Sequence, residues 1–541
     1  MRLNKDMMDR RSGKKQTILF LSFLLLISYL AFNTGIISDD YDTMARAPEK
    51  DLFKSLALDG KSIFIDVPVL HYTHFIWYRY FELDDQAFVN AIKILYLLLS
   101  FFLISRFFTV FLDETNAMLA SFLFIFFPSH DSTVYCFNLQ YLTLSFAFYL
   151  YAFYLAHKNK LIPAAIFALI ASFMSYGSTP IAIGLFVLFL LRKELKKGLA
   201  ILAPNIIYAA YYIYISKVFK DGGGKISSGI AAGTLVKNFI MQIVTFIDAA
   251  LGPSMWMKIY HSFFQLSALS LVIGILSIIV IARYVRNYIS NVPRSFAKRN
   301  DEAISNEGAS RPDKNLLLSL TALTFISFAM FAVNGRYPQI AFNLGNRVTI
   351  FGSLLLAYLL VAVPKNRAVR TVIFAVMIFC ALGISDHWKA WNINQREVIR
   401  NIRDNPGLKN YKDDSMIYVS GNQYSKFGPV SHIEFLSERY VSAPVFQLAL
   451  GKDIVAVPIN KNHVFKDGYF IDTKDGFKEK IGSSIGIYDS EGDRFFRMDS
   501  KEMNSYIGSL PPEKRHWTQM VNVPFVRNIL IRLKPESKKY F

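Results

Sequence analysis

Cysteine is almost missing from this chain, with two residues, Cys136 and Cys380, in 541. They lie far apart, both in or near apolar runs. That excludes a disulfide framework and speaks against a metal site built on cysteine. Charge is also sparse. Asp, Glu, Lys and Arg make up 19% of residues against 53% hydrophobic, which excludes an ordinary soluble protein of this length. No Asn-x-Ser/Thr site occurs, so the composition leans towards a bacterial inner membrane rather than the endoplasmic reticulum. There is no Gly-rich phosphate loop, no Walker motif and no solenoid repeat.

Long apolar runs are what the chain does have. A helix of about 20 apolar residues crosses the hydrocarbon core because it satisfies its own backbone hydrogen bonds. Eleven spans are expected, near 17–37, 88–108, 114–129, 139–156, 161–176, 179–192, 199–218, 262–283, 315–333, 346–363 and 369–385. The first follows a basic stretch, as a signal peptide would. It is too long for a typical signal core and has no small-x-small cleavage site, so it reads as a retained helix.

The net charge of +19 does not point to nucleic acid. Its basic residues gather at the N-terminus and in alternate loops, "HKNK", "RKELKK", "RYVRNYISNVPRSFAKRN" and "PKNRAVR". In a membrane protein that pattern marks the cytosolic side and attracts anionic lipid. Residues 1–16 are therefore expected in the cytosol, 17–385 in the membrane domain, and 386–541 in an extracytoplasmic domain. Two further external segments are expected. One is a first loop over 38–87 with interfacial helices at "APEKDLFKSLALDG" and "HYTHFIWYRYFELDD". The other is a flexible loop over 218–261 containing "KDGGGKISSG".

The tail reads as a small α/β domain. Helices are predicted at "AWNINQREVIRNI" and "SHIEFLSERYVSAPVFQLAL". Strands are predicted at "SMIYVSGN", "DIVAVPI", "GYFIDT", "SIGIYDSEGDRFFRMD" and "FVRNILIRLK", with a hairpin turn over Ser490–Asp493.

Immediately after the first span stands "SDDYDT", with Asp39, Asp40 and Asp42. Such acids often just keep a loop outside or cap a short helix. Two adjacent acids at the membrane exit can also supply a general base where lipid-borne substrates present their headgroups. With this pair, the chain resembles the GT-C superfamily of integral-membrane glycosyltransferases, which use polyprenyl-phosphate sugars as donors. The resemblance covers the whole topology: many spans, a cytosolic N-terminus, a large first external loop with an acidic pair at its start, and an external C-terminal domain. It implies an α-helical polytopic fold of about eleven transmembrane helices with a C-terminal extracytoplasmic α/β domain. The WWDYG motif of oligosaccharyltransferase catalytic subunits is absent. The implied enzyme is thus a transferase moving one sugar, with Mg or Mn dependence not favoured.

Such a reaction needs cations for the departing phosphate. "NGRYPQIAFNLGNRV" offers Arg336 and Arg347, each beside a span end, on the face where positive charge is disfavoured. Arg suits phosphate because its planar fork donates two hydrogen bonds, although arginines there also snorkel to lipid headgroups. Arg347 is preferred, and Lys225, beside three glycines, could close over the phosphate. The acceptor hydroxyl loses its proton to one of Asp39 and Asp40. Asp40 is favoured, although the residue types alone do not separate them, and two close carboxylates titrate as a pair. Attack would invert the anomeric carbon, as in inverting glycosidases.

His130, Asp131 and Asp42 are candidates for substrate contact, against the plainer reading of loop caps. His71 and His74 share a helical face, but Tyr72, Phe75, Trp77 and Tyr78 around them say interfacial belt. Trp388 and Trp391 read as interface anchors. The expected partners are the donor lipid, a glycan, lipid or protein acceptor, and membrane lipid. Three other classes remain open. One is an O-antigen polymerase or ligase relying on paired external arginines. Another is a lipid-linked glycan transporter or flippase, against which the scarcity of charge within spans counts. The last is an inert scaffold.

Overall fold

The computed structural model describes residues 2–47, 65–218, 231–290, 312–335, 337–412, 416–461, 463–473, 478–481, 484–511, 524–533 and 535; side chains are described from Gln16 onward, except over 284–290 and at 484. The interfacial helix expected at 47–60, apart from Ala47, and the whole glycine-rich run lie outside these residues.

The membrane part opens with α1 (Arg2–Ala31), followed by the short α2 (Asp39–Ala45) and α3 (Pro68–Thr73) and a 3-10 turn at Phe75–Tyr80. Where one interfacial helix is expected over "HYTHFIWYRYFELDD", the chain makes these two short pieces, with His71, His74, Phe75 and Tyr78 buried in an aromatic cluster. Next come α4 (Ala87–Phe108), α5 (Glu114–Ile125), the one-turn α6 (Ser132–Tyr135), α7 (Gln140–His157), α8 (Leu161–Met174), α9 (Thr179–Leu191) and α10 (Leu195–Val218). The bundle is completed by α11 (Ala232–Ala250), α12 (Pro253–Phe263), α13 (Ala268–Ser290), α14 (Lys314–Asn334), α15 (Ile350–Ala362) and α16 (Arg367–Asp404).

Among the described residues, seven segments are long and apolar enough to cross a membrane, and five shorter apolar helices accompany them. The chain is a helical multi-pass membrane protein. Its outward apolar side chains, such as Leu25, Ile162, Ile206 and Val372, would form an aggregating surface in water and are solvated by lipid tails.

Helix ends are set by short polar side chains. Asp113, Asp313 and Asn366 each accept a bond from a first-turn amide, satisfying donors that the helix leaves open. Gly335, at φ 69°, ends α14 in the left-handed conformation. The flexible loop expected over 218–261 is corrected where it is described, because Ala232–Phe263 is helical. Residues Met241, Gln242, Thr245, Phe246, Asp248 and Ala249 form one buried helical face. Gly252 and Pro253 break the run into α11 and α12.

Helix α16 has 38 residues and so spans about 57 Å at 1.5 Å per residue, far more than the hydrocarbon core of about 30 Å. No break falls at 386. The predicted helix "AWNINQREVIRNI" is the continuation of the last membrane helix, and its Val398, Ile399 and Ile402 pack into the core of the tail.

In the tail, β1 (Met416–Ser420) lies between parallel neighbours β4 (Val455–Pro458) and β8 (Ser484–Asp489), with β9 (Arg494–Asp499) antiparallel at the edge. A second sheet joins β5 (His463–Lys466), β6 (Tyr469–Asp472) and β7 (Lys478–Lys480). The expected helix over 431–450 is divided: Val430–Glu434 is strand β3, paired with β2 (Tyr424–Phe427), and only α17 (Arg439–Leu450) is helical. The β2–β3 hairpin turns at Gly428, φ 61°, and buries Phe427, Val430 and Ile433 in the core of the membrane bundle. After α18 (Met503–Ser509), the last predicted strand is instead helix α19 (Pro524–Leu533). Its alternation also fits a helix, with Leu530 turned inward.

Helices α12 and α16 touch at a glycine. A β-carbon on Gly383 would lie 1.9 Å from the Ser262 carbonyl oxygen, a backbone atom that cannot swing aside. Gly383→Ala is expected to cost about 1–3 kcal/mol, read as a lowered thermal midpoint of the detergent-solubilised protein. An unchanged midpoint would contradict this helix contact.

Candidate functional site

Ser38, the residue before α2, and Gly35 both have positive φ, 51° and 58°, so the chain turns sharply on leaving α1. Gly35 has no room for a side chain: a β-carbon there would meet Gln86 Oε1 at 2.0 Å and Asn392 Oδ1 at 2.2 Å. The turn points the two aspartates in different directions.

Asp40 faces inward and is fully buried. Its Oδ1 accepts from the Tyr78 hydroxyl at 2.6 Å and the Asn138 amide at 2.8 Å, and its Oδ2 from the Ile37 amide at 3.0 Å. Lys93, buried in α4, donates to the Gly35 and Tyr135 carbonyls close by and offsets the carboxylate charge. Asp40, the proton acceptor favoured from the sequence, is thus a buried carboxylate with a full set of hydrogen bonds. Its lone pairs are occupied by donors that tie the turn to the first and second loops, and its side chain is fully buried.

Asp39 faces the other way. Its Oδ2 is 3.9 Å from Nη1 of Arg347, and its Oδ1 has no hydrogen-bond partner among the described residues. Burial raises its carboxyl, and Arg347 and the Tyr440 hydroxyl pull it back part of the way. Arg347 stands on a 3-10 turn, Leu344–Thr349, that leads into α15. Its guanidinium lies over the Tyr337 ring, 5.3 Å from the centroid. It lines a narrow cavity with Tyr141, Tyr176, Tyr337 and Phe351, in which the Tyr141 hydroxyl donates to that of Tyr176 at 3.1 Å. The free volume is small, about 30 Å³.

Tyr440 comes from α17 of the tail, which packs on α2. Its hydroxyl is 3.3 Å from Glu434 Oε1, which also accepts from Ser38 Oγ at 3.0 Å. The mouth of the site is thus made by α2, the turn before α15 and the tail domain together.

Asp131 has a different environment from a substrate-binding acid. Its Oδ1 accepts from Lys258 at 2.7 Å and from Asn346, and its Oδ2 from Trp388 Nε1 at 2.8 Å and His432 Nε2 at 2.9 Å. The Asn343 amide donates to His432 Nδ1 at 3.1 Å, so the proton of this imidazole sits on Nε2 and points at Asp131. Burial alone would raise the Asp131 carboxyl, but Lys258 and His432 outweigh it and hold it far below the usual range. With both oxygens filled, Asp131, a candidate for substrate contact from the sequence, ties chain segments together.

Neighbouring His130 bonds Thr133 Oγ1 through Nδ1 at 2.9 Å, and its Nε2 is buried without a partner among the described residues. Burial lowers its pKa to about 4, which keeps it neutral. Asp42 is paired with Arg46 at 2.8 Å on the outer side of α2 and does not join the site. Arg336 and Lys225 lie outside the described residues. Among the described residues, no three His, Cys, Asp or Glu side chains gather as metal ligands.

The structure brings together Asp39 and Arg347, and adds Tyr440, Glu434 and the tyrosine-lined cavity. Lys93 had a legible signal, an ammonium inside an apolar span, which is a functional or structural marker by default. Tyr440 and Glu434 had none, since both sit in a stretch that reads as one amphipathic helix. No protein-family model matches the chain, and no curated protein matches it.

The two acids separate by stability. Asp131→Asn leaves the Lys258 ammonium buried without a countercharge and is expected to cost about 3–5 kcal/mol. Asp39→Asn is expected to stay within about 0.5–1 kcal/mol of wild type, both read by unfolding in detergent. The folded Asp131 pKa lies below its unfolded value. Its contribution is therefore complete above pH ~4 and is lost as the pH falls through the lowered folded value.

Proposed function

We propose that this protein is an integral-membrane glycosyltransferase that moves a sugar from a polyprenyl-phosphate donor to an acceptor at the outer face of a bacterial inner membrane. In this reading eleven of the twelve apolar segments cross, Ala232–Phe263 staying at the outer face, with the N-terminus in the cytosol and the C-terminal domain outside. The observation that carries the reading is the meeting of Asp39 and Arg347, a carboxylate and a guanidinium from distant parts of the chain, beside a tyrosine-lined cavity at one end of the bundle.

Arg347 binds the donor phosphate with its fork and stabilises the charge that grows there as the bond from the anomeric carbon to the phosphate oxygen breaks. The acceptor oxygen bonds the same carbon from the opposite face, and Asp39 takes the proton that the hydroxyl loses. A carboxyl raised by burial is a stronger base than an exposed one, which suits the task. The Asp39–Arg347 contact is loose at 3.9 Å, and the small cavity opens when the headgroup displaces that pairing. The donor headgroup thus frees the base as it binds. The C-terminal domain covers the acceptor side.

The test is turnover of a panel of undecaprenyl-phosphate sugars by purified protein in detergent. Asp39→Asn is expected to lower kcat by about 10²–10⁴-fold, and Arg347→Lys by about 10²–10³-fold, with both variants folded. Wild-type turnover by Asp39→Asn would reject the assigned base. Loss on changing Arg347 but not Asp39 would point to the polymerase or ligase chemistry instead.

A further inference from the structure

The last described helix of the tail, α19, packs against α11 of the bundle. Helix α11 belongs to the end of the bundle where Arg347 stands. Its Gln242 donates to the Tyr337 carbonyl at 2.9 Å, and the Tyr337 ring lies under the Arg347 guanidinium. At about 100° per residue, Phe525, Val526, Ile529, Leu530 and Leu533 of α19 fall within about 140° of one side. Arg532 flanks that side next to Phe525, and Arg527 flanks it next to Leu530. Leu530 is buried, whereas Phe525 is 73% exposed. Packing therefore covers one edge of the apolar side and leaves the other edge open.

Arg527 and Arg532 are exposed, and neither forms an ion pair among the described residues. Helix α11 exposes Lys237 between Val236 and Ile240. Trp256 and Tyr260, one turn apart on α12, are exposed as well, a pairing suited to the headgroup layer. We propose that α19 is an in-plane membrane anchor: its open apolar edge enters the boundary between headgroups and acyl chains, and Arg527 and Arg532 bind anionic phospholipid. The tail domain is then fastened to the membrane at two places, through α16 and through α19. This rests on the placing of Ala232–Phe263 at the outer face and not on the reaction assigned there.

A second copy of the chain fits this edge poorly. The helix has 10 residues and is about 15 Å long. Its open edge offers far less than the about 800 Å² per partner that a stable pair of proteins buries. Two copies would also bring unpaired arginines towards each other. A lipid surface has neither difficulty, because it supplies apolar chains and phosphate groups side by side and needs no matching shape. The long arginine side chains can lie along the apolar arc while their guanidinium groups reach the phosphates.

The experiment places a spin label on the full-length protein at Phe525→Cys, or at Asn528→Cys on the polar side. Both native cysteines, Cys136 and Cys380, are buried, so the label goes to the new thiol. The protein is set in nanodiscs of phosphatidylcholine, with or without phosphatidylglycerol. The label at 525 is expected to be open to oxygen from the lipid and shielded from a water-soluble nickel complex, and the label at 528 the reverse. Phosphatidylglycerol is expected to raise the ratio of shielded to open label at 525. Arg527→Gln and Arg532→Gln are each expected to lower that ratio about fivefold in the anionic discs, and Lys at both positions to keep it. Nickel access at 525 equal to that at 528 overturns the proposal, and so does shielding that the two Gln variants leave unchanged. Dipolar coupling between labels on two molecules would overturn it in favour of a second copy. Either result leaves turnover at Asp39 and Arg347 to its own assay.

Discussion

A single buried carboxylate holds one end of this molecule together. Asp131 accepts from Lys258 of α12, Trp388 of α16, His432 of β3 and Asn346 of the turn before α15. An ionised group this far from water is tolerated only when its lone pairs are filled and its charge is matched. Each of the four donors is itself buried, so none can leave without stranding a polar group. The tie fixes where the tail hairpin enters the bundle. It also fixes where Asn346, and with it Arg347, stands.

The first consequence is that neighbouring acids in the sequence have unlike chemistry. Asp39 and Asp40 are consecutive on a helix, so their side chains point about 100° apart. One direction meets Tyr78, the Asn138 amide and buried Lys93. The other meets Arg347 and the tail. The same residue type serves as a structural acceptor in one place and faces a guanidinium in the other. The second consequence is that the tail and the membrane helices share one packed core. Phe427 and Ile433 of the hairpin belong with bundle residues, while Val398 and Ile402 of the long α16 belong with the tail.

Much of the bundle was legible because lipid imposes a simple rule on sequence. Apolar runs between basic loops locate α4, α7, α10, α14 and α15 to within a few residues. Strands β1, β4 and β6 and the β8–β9 hairpin also follow their patterns. Reading failed where two periods overlap. Residues 430–434 are apolar enough to continue a helix, yet they pair with β2 because the turn at Gly428 folds them back. The segment 232–263 looks like a loop only if the glycine-rich stretch before it is allowed to set its character; its own buried face is helical. At the site, the acid pair and Arg347 were visible as residue types at helix ends. Tyr440 and Glu434 were not, because nothing near them in sequence hints at a membrane partner.

Local composition alone determined that this chain is a helical membrane protein with a strand-containing tail, since hydrocarbon thickness and backbone hydrogen bonding leave few other solutions for such runs. It also placed Asp39, Asp40 and Arg347 beside the ends of apolar runs. Tertiary structure alone decided which acid meets the guanidinium, that Asp131 is filled from four sides, and that a tyrosine from the tail completes the mouth. Those outcomes depend on directions and distances between side chains hundreds of residues apart, and no periodicity along the chain carries that information.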